Sequence, residues 1–329
     1  MSLLQATKNG IYCERAQVYI DPIGKVKRAL VTHAHADHSR YGHQSYLAHH
    51  HSVPIMKHRL GDIQVEGIEY GEIIRINGVA FSFHPAGHIP GSAQIRVEHK
   101  GEVWVAAGDY KREEDGISAP FEVVPCHHFI TESTFALPVY RWKPQAEVFD
   151  DIHHWWKKNA EAGKTSILTG YSLGKAQRLL KHLDHGFGPI YCHPAVDNIN
   201  AMFREQSIVD IPQIPKVEGA EKKDDYRRAI VVAPPSVQNS SWLNKFKPYA
   251  LGISSGWMAL RGARRRRNAD RGFILSDHAD WDALNNTIKD TGAESIYVTH
   301  GYREIYARWL REQGYDAKPL EADYDGEAD

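Results

Sequence analysis

Thr32-His33-Ala34-His35-Ala36-Asp37-His38 follows directly on the apolar run Ala29-Leu30-Val31. Four side chains able to bind a metal fall between His33 and His38, and a strand ending in a tight loop can aim them at one point. Neutral imidazoles and a carboxylate are ligands that zinc and manganese accept. A solvated histidine-rich loop is the plain alternative in a chain with 20 histidines. What weighs against it is the set of partners that the rest of the chain supplies.

Reading outward, the first 136 residues are short β segments that end in polar residues. Val18-Tyr19-Ile20 runs into Asp21, and Val79-Ala80-Phe81-Ser82-Phe83 leads to His84 and His88. Val103-Trp104-Val105-Ala106-Ala107 runs into Gly108-Asp109, and Phe129-Ile130 into Thr131-Glu132. Such β-branched and aromatic runs, punctuated by Gly and Pro, predict a sheet-rich region. Ligands and catalysts collect at strand ends, where the sheet holds the backbone and the loops converge.

The pattern changes after Pro138. Val148, Ile152, Trp155 and Trp156 mark one helical face, and Ala176, Leu179, Leu180 and Leu183 mark another. Between and after them, Ser166-Ile167-Leu168-Thr169, Pro189-Ile190-Tyr191-Cys192, Ile230-Val231-Val232-Ala233 and Tyr249-Ala250-Leu251-Gly252-Ile253 read as strands. Alternating strand and helix predicts a parallel α/β unit. Strands ending in polar residues return at Gly272-Phe273-Ile274-Leu275, before Ser276-Asp277-His278, and at Ile296-Tyr297-Val298-Thr299, before His300. Two helices close the chain, one apolar on Trp281, Leu284 and Ile288, the other on Ile305, Tyr306, Trp309 and Leu310. The acidic residues 323–329 are expected to fray.

Composition bounds the rest. A chain of 329 residues, 42% hydrophobic and 25% charged, can bury a substantial core in one large domain or two. Its formal net charge of −1 excludes a global field drawing it to nucleic acid or membrane, so any basic site is local. Cys13, Cys126 and Cys192 are odd in number and far apart, which fits a reducing cytoplasm rather than a disulfide framework. No leader peptide or membrane-spanning run is readable.

Collected, the strand-end groups are His33, His35, Asp37, His38, His88, Asp109 and His300. Seven ligands suit two divalent ions, zinc or manganese, when one carboxylate bridges. Such a pair, about 4 Å apart, clamps the attacking and leaving oxygens of a displacement at phosphorus and acidifies water. His33, His35 and His88 are assigned to one ion and Asp37, His38 and His300 to the other, with Asp109 between them. Asp21 is read as the residue that orients the histidine-rich loop.

Asp21, His33-x-His35-x-Asp37-His38, His88 and Asp109 resemble, in order, the first four motifs of the metallo-β-lactamase fold. Gly87-His88-Ile89-Pro90-Gly91-Ser92 is similar to the nuclease branch of that superfamily. Glu132 in Thr131-Glu132-Ser133-Thr134, His278 in Ser276-Asp277-His278-Ala279-Asp280 and His300 in Val298-Thr299-His300-Gly301 resemble motifs A, B and C of the β-CASP group. That group comprises metal-dependent nucleases acting on RNA or DNA. The resemblance covers almost the whole chain and implies an αββα metallo-β-lactamase sandwich (1–136 and 276–329) interrupted by a parallel α/β β-CASP domain (137–275). His300 sets the chain apart from the crosslink-repair branch, which has an apolar residue at motif C.

In that setting Asp37, Glu132 and His278 become catalytic candidates. Asp37 and Asp109 would hold metals and water. His278 would give the departing oxygen its proton, since imidazole titrates in the required range, with Glu132 steering the ring. A buried histidine satisfied by backbone is the alternative for His278. Ser92 could hydrogen-bond a phosphate oxygen, or serve as a turn serine. Ser172 and Lys175, in Tyr171-Ser172-Leu173-Gly174-Lys175, sit between a strand and a helix, where backbone N–H groups attract anions; an ordinary helix cap is the alternative. Ser254-Ser255-Gly256-Trp257 resembles the β-CASP loop that faces the cleft. Arg261, Arg264, Arg265, Arg266, Arg267 and Arg271 make a basic run just before His278, expected to grip phosphates, with affinity falling as salt rises. The runs His49-His50-His51, His127-His128 and His153-His154 match no motif and are left as non-ligands.

The first functional expectation is a DNA exonuclease. The chain is expected to be compact, without the added N-terminal or C-terminal domain that the resemblance implies for RNA-processing members. The stretch Ile130-Thr131-Glu132-Ser133-Thr134-Phe135-Ala136-Leu137-Pro138 and the stretch Ser255-Gly256-Trp257-Met258-Ala259-Leu260-Arg261 are most similar to the bacterial ligase-associated DNA exonucleases. That resemblance implies attack from the 5′ end of single-stranded DNA, in repair, with a DNA ligase and a helicase of the same pathway as partners. An exo- or endoribonuclease of the same group is the second reading, because the discriminating 2′-OH contact could come from any residue in the cleft. A small-molecule hydrolase such as a thioesterase leaves Glu132, His278 and the arginines without purpose. A catalytically dead binding subunit is expected to lose ligands, and none of the seven is missing.

Overall fold

The computed structural model describes residues 2–218, 226–260, 262 and 269–320. The chain divides into two compact units. The first holds the described residues of Met1–Glu114, Ser118–Arg141 and His278–Ala328; the second holds Asp115–Ile117 and those of Trp142–Asp277. The chain thus leaves the first unit after Arg141 and returns at His278, where the sequence reading sets these switches after Ala136 and before Ser276.

In chain order the first unit opens with β1 (Gln5–Thr7), β2 (Gly10–Cys13), β3 (Val18–Ile20), β4 (Arg28–Val31), β5 (Ser45–His49), α1 (Val53–Leu60) and β6 (Val65–Ile68). These six strands form one sheet in sequence order, antiparallel through β3 and parallel from there on. Next come β7 (Ile73–Ile76), β8 (Val79–Pro85), β9 (Ala93–His99), β10 (Glu102–Ala106) and β11 (His128–Thr131).

The second unit then contributes α2 (Gln145–Glu161), β12 (Thr165–Thr169), α3 (Lys175–His182), β13 (Ile190–Cys192), α4 (Pro194–Glu205), β14 (Ile230–Ala233), β15 (Tyr249–Ser254) and β16 (Arg271–Phe273). All of its strand pairings are parallel, in the order β13-β14-β12-β15-β16. The central strand β12 is buried along its whole length, which is why Ile167 and Leu168 sit in an uninterrupted run rather than an alternating one.

On its return the chain adds α5 (Trp281–Thr291), β17 (Ser295–Val298), α6 (Arg303–Glu312) and β18 (Asp316–Pro319) to the first unit. Its second sheet then runs β18-β17-β11-β10-β9-β8-β7. The two sheets of this unit pack face to face. Ile20, Leu30 and Leu47 of one share a core with Phe81, Phe83, Ile95, Trp104 and Ile130 of the other. Each such large side chain, fully buried, contributes roughly 1.5–3 kcal/mol relative to exposure. The alternate residues Val103 and Val105 face the opposite way, into a core with Trp281, Leu284 and Ile288 of α5 and Tyr306 and Leu310 of α6. Strand β10 is therefore buried on both faces, and its unbroken apolar run Val103–Ala107 follows from that.

The chain is thus a mixed α/β protein. Cys13, Cys126 and Cys192 are free thiols, all buried. Among the described residues no helix is long and apolar enough to cross a membrane. The acidic residues 323–329 lie outside the described residues.

Backbone conformation at two glycines is what lets loops meet above the second sheet. Gly108 (φ +60°) and Gly301 (φ +59°) adopt left-handed geometry, and a Cβ on Gly301 would lie 2.3 Å from the carbonyl oxygen of Ser133. Gly301→Ala combines this backbone clash with left-handed strain. It is expected to destabilise the protein by about 2–4 kcal/mol, read as a lower urea midpoint at unchanged slope. A wild-type midpoint would remove the close approach as a constraint.

Candidate metal centre

Strand β3 delivers Asp21 and strand β4 delivers Thr32, and these two neighbours lock together. The Asp21 carboxylate accepts the Thr32 amide at 2.8 Å through Oδ1 and the Thr32 hydroxyl at 2.6 Å through Oδ2. Its Oδ2 also lies 2.8 Å from His38 Nδ1. Both ends of the loop 32–38 are thus tied to one buried carboxylate, and the His38 ring is turned so that Nε2 faces inward. Asp21 itself has φ +43°, and His300 has φ +51°. Left-handed backbone at non-glycine residues is costly and persists where surroundings over-determine it; of the eight described non-glycine residues that adopt it, these two belong to the centre.

The inward-facing atoms converge on Asp109, which β10 and Gly108 deliver. Asp109 Oδ2 lies 3.4 Å from His38 Nε2, 3.6 Å from His33 Nε2 and 3.9 Å from His88 Nε2. His88 Nε2 is 3.1 Å from His35 Nδ1, and Asp37 Oδ2 is 3.4 Å from His38 Nε2. The ring of His300 stacks on that of His38 at 5.1 Å. One donor atom from each of His33, His35, His88 and Asp109 falls within 4.8 Å of the others, as do those of His33, Asp37 and His38. The seven strand-end groups therefore lie together.

These groups are all but buried, and burial without solvation sets their charges. Burial alone would suppress charge on His38, but the Asp37, Asp109 and Asp21 carboxylates around it win, holding its pKa well above the ordinary imidazole value. Burial likewise works against the Asp109 carboxylate, and His38 and His278 reverse it, so its pKa lies well below the usual range. His33 is driven well below the ordinary value by burial and then by His38, and His300 is pushed down to about 4, chiefly by burial. The carboxylates of Asp37, Asp109 and Asp21 thus favour positive charge at this centre.

The donor chemistry fits divalent cations. His33 Nε2, His38 Nε2, Asp37 Oδ1 and Asp109 Oδ1 are buried with no hydrogen-bond partner among the described residues. Unsatisfied buried polar atoms are rare and costly, and these four belong to one cluster of neutral-imidazole and carboxylate donors. A cation would satisfy them, with binding linked to the protonation of the imidazoles.

Beside the cluster, His278 Nδ1 lies 2.9 Å from Glu132 Oε2, while Glu132 Oε1 accepts the Tyr110 amide at 2.8 Å. Burial pushes the Glu132 carboxyl up, and the His278 ring works the other way. The rings of His278 and His88 are 4.6 Å apart. Two residues to which the sequence reading assigns no role hold the loops. Arg59 of α1 donates to the Ala34 carbonyl at 2.7 Å and to Ser39 Oγ at 2.6 Å. Ser133 Oγ donates to the carbonyls of Thr299 and His300. Thr32 and Ser133 lie within motifs, but their partners, like those of Arg59, are not legible locally: Arg59 and Ser133 sit far along the chain from the groups they grip.

The candidate phosphate contacts fare differently. Ser92 Oγ accepts the amides of His88 at 3.1 Å and Ile89 at 3.2 Å, so it shapes the His88 loop, as a turn serine does. In the second unit Lys175 is 1% exposed, with Nζ 3.6 Å from Asp277 Oδ2, and Arg178 reaches the same carboxylate at 3.0 Å. The Ser172 carbonyl accepts the Gln177 side chain at 2.9 Å. Arg271 opens β16 and lies 3.9 Å from Asp151. Arg261, Arg264, Arg265, Arg266 and Arg267 lie outside the described residues.

Known proteins resemble this chain along most or half of its length. It is 29% identical over 313 residues to a protein named Probable DNA ligase from Opitutus terrae, a match covering 94% of this chain and 30% of that one. It is 27% identical over 202 residues to Endoribonuclease ysh1 of Schizosaccharomyces pombe, covering 53% of this chain and 26% of the relative. It is also 27% identical over 203 residues to Cleavage and polyadenylation specificity factor 73 of Drosophila melanogaster, covering 54% and 29%. The chain spans less than a third of the length of each. Among solved structures, a protein of unknown function from Enterococcus faecalis V583 shares the fold, with a TM-score of 0.61 at 10% identity over 85% of this chain and 76% of that one. No protein-family model matches the chain.

Proposed function

We propose that this protein is a metal-dependent phosphodiesterase of the metallo-β-lactamase fold and β-CASP group, acting on DNA as an exonuclease. The observation that carries the reading is the buried, unsatisfied donor cluster around Asp109 with the Glu132–His278 pair beside it. The preference for DNA rests on the relative whose printed name is a DNA ligase, because that match takes in 94% of this chain. A 5′ to 3′ direction on single strands and a role in repair with a ligase and helicase are part of the same reading. The relatives named as endoribonucleases support the second reading, an RNA-processing nuclease, over about half of the chain.

Two divalent ions, zinc or manganese, held by His33, His35 and His88 on one side and by Asp37, His38 and His300 on the other with Asp109 shared, would neutralise charge developing on the phosphoryl oxygens and acidify water. Around them the protein's own groups divide the work. Asp21 fixes the tautomer of His38 by accepting from Nδ1, so that Nε2 presents a lone pair. Glu132 holds His278 through Nδ1, which leaves Nε2 as the nitrogen that passes a proton to the departing oxygen.

Matched single-stranded DNA and RNA, each labelled at the 5′ or the 3′ end, test the assignment in the presence of Mn²⁺, Zn²⁺ or chelator. Mononucleotide released early from the 5′ end of DNA, with RNA spared and chelator abolishing it, is the expected result. Preferential cutting of RNA would move the protein to the second reading, and no cleavage under either metal would overturn both.

A further inference from the structure

The run His49-His50-His51 is assigned no part in the centre around Asp109, yet the fold gathers its side chains. His49 ends β5, and His50 and His51 begin the short 3-10 helix His50–Ser52 that follows. Their ring centroids are 4.3 Å (His49 to His50), 4.8 Å (His49 to His51) and 4.1 Å (His50 to His51) apart, and each offers a ring nitrogen within 4.8 Å of the others'. Glu69, just after β6, brings Oε2 to 3.1 Å from His50 Nδ1. His50 Nδ1 has no hydrogen-bond partner among the described residues, so Glu69 acts on the cluster by its charge, which favours a cation beside it. His49 is 1% exposed, and its Nε2 has no hydrogen-bond partner among the described residues. Its Nδ1 accepts the His51 amide at 3.3 Å, a long bond whose loss on a change of tautomer costs little.

The cluster is also tied to the loop that carries His88. Tyr70 stacks on His49 at 3.7 Å and donates its hydroxyl to the Ser92 carbonyl at 2.8 Å. Ser52, next after His51, donates to the Gly91 carbonyl at 3.0 Å. Gly91 (φ +83°) is packed so closely that a Cβ there would meet Ser52 Oγ at 2.8 Å and His51 Cβ at 3.0 Å. Whatever fixes the three histidines therefore fixes the backbone that bears His88.

We propose that His49, His50 and His51, with the Glu69 carboxylate beside them, form a further transition-metal site that takes a zinc-class cation and braces the His88 loop. Three imidazoles with a carboxylate in support suit Zn²⁺ and exclude Mg²⁺ and Ca²⁺, which require oxygen ligands. The site stands apart from the proposed nuclease reading, since nothing in it depends on what the Asp109 centre does.

The test uses the full chain stripped with chelator and titrated with Zn²⁺ alone, comparing wild type, the double variant His50→Gln/His51→Gln and Asp109→Ala. Metal analysis after dialysis is expected to find one equivalent fewer in the double variant than in wild type, and that equivalent retained in Asp109→Ala. Hydrogen exchange of residues 87–92 in Asp109→Ala is expected to slow on adding Zn²⁺, and to stay unchanged when the two glutamines are combined with it. Equal zinc content in wild type and the double variant would overturn the site. Zinc retained in Asp109→Ala with no change in exchange at 87–92 would overturn the bracing.

Discussion

Asp109→Ala is expected to strip both metal positions of the main centre and to lower phosphodiester cleavage by on the order of 10³-fold or more. A single hydrogen-bond donor to a developing charge is worth about 10²–10³ in rate, and two divalent cations placed at that charge would stabilise it by more. One carboxylate oxygen stands within 4 Å of imidazoles from two loops, at 3.4 Å from His38, 3.6 Å from His33 and 3.9 Å from His88. Asp21→Asn gives the contrast. It leaves every inward-facing donor in place and weakens only the hold on Thr32 and His38, so metal affinity should fall about 10–100-fold with activity restored by added metal. Metal content by elemental analysis, read beside hydrolysis of bis(p-nitrophenyl) phosphate, separates the two variants. Asp109→Ala that retained two equivalents of metal would contradict the shared position of this carboxylate.

Why could so much of this centre be read from sequence, and the rest not? Val18–Ile20, Val79–Phe83 and Val103–Ala107 declare themselves as strands by composition, and each hands a polar residue to the same rim. Local pattern therefore brings Asp21, His88 and Asp109 to notice beside the compact loop 32–38. What local pattern lacks is the identity of distant partners. Lys175 looks like an anion contact at a helix start, but Asp277, far along the chain, takes its charge in a buried ion pair with Arg178. Ser92 looks able to reach a phosphate, while its Oγ receives two amides of its own loop. The left-handed backbone at Asp21 and His300 is invisible in residue types that adopt it only under constraint. His49–His51 lacks a motif, and its significance rests on Glu69 and Tyr70, which β6 brings beside it.

His278→Ala carries the second large effect, and its selectivity is the point. The ring is held by Glu132 at 2.9 Å, and Glu132 is itself fixed by the Tyr110 amide at 2.8 Å, so the imidazole arrives already oriented. A positioned general acid is worth about 10²–10⁴ in rate, and that loss is expected on DNA, whose leaving oxygen is a strongly basic alkoxide. A p-nitrophenyl ester of a nucleotide releases a phenolate that needs no proton, so the same variant should hydrolyse it nearly as fast as wild type. Ring and carboxylate atoms of His278, Asp109 and Glu132 lie within 4.8 Å of one another, whereas His278 is not grouped with the donors of the loop 32–38 and His88; unchanged metal content is expected of a proton donor, and a lost equivalent would make His278 a ligand. Glu132→Gln refines the result. The carboxylate favours the charged imidazole, and the neutral amide does not, so the alkaline limb of the pH–rate profile on DNA should move to lower pH while the p-nitrophenyl ester shows no such movement. Equal losses on the two substrates would instead place His278 in metal or substrate binding and remove its role as the proton donor.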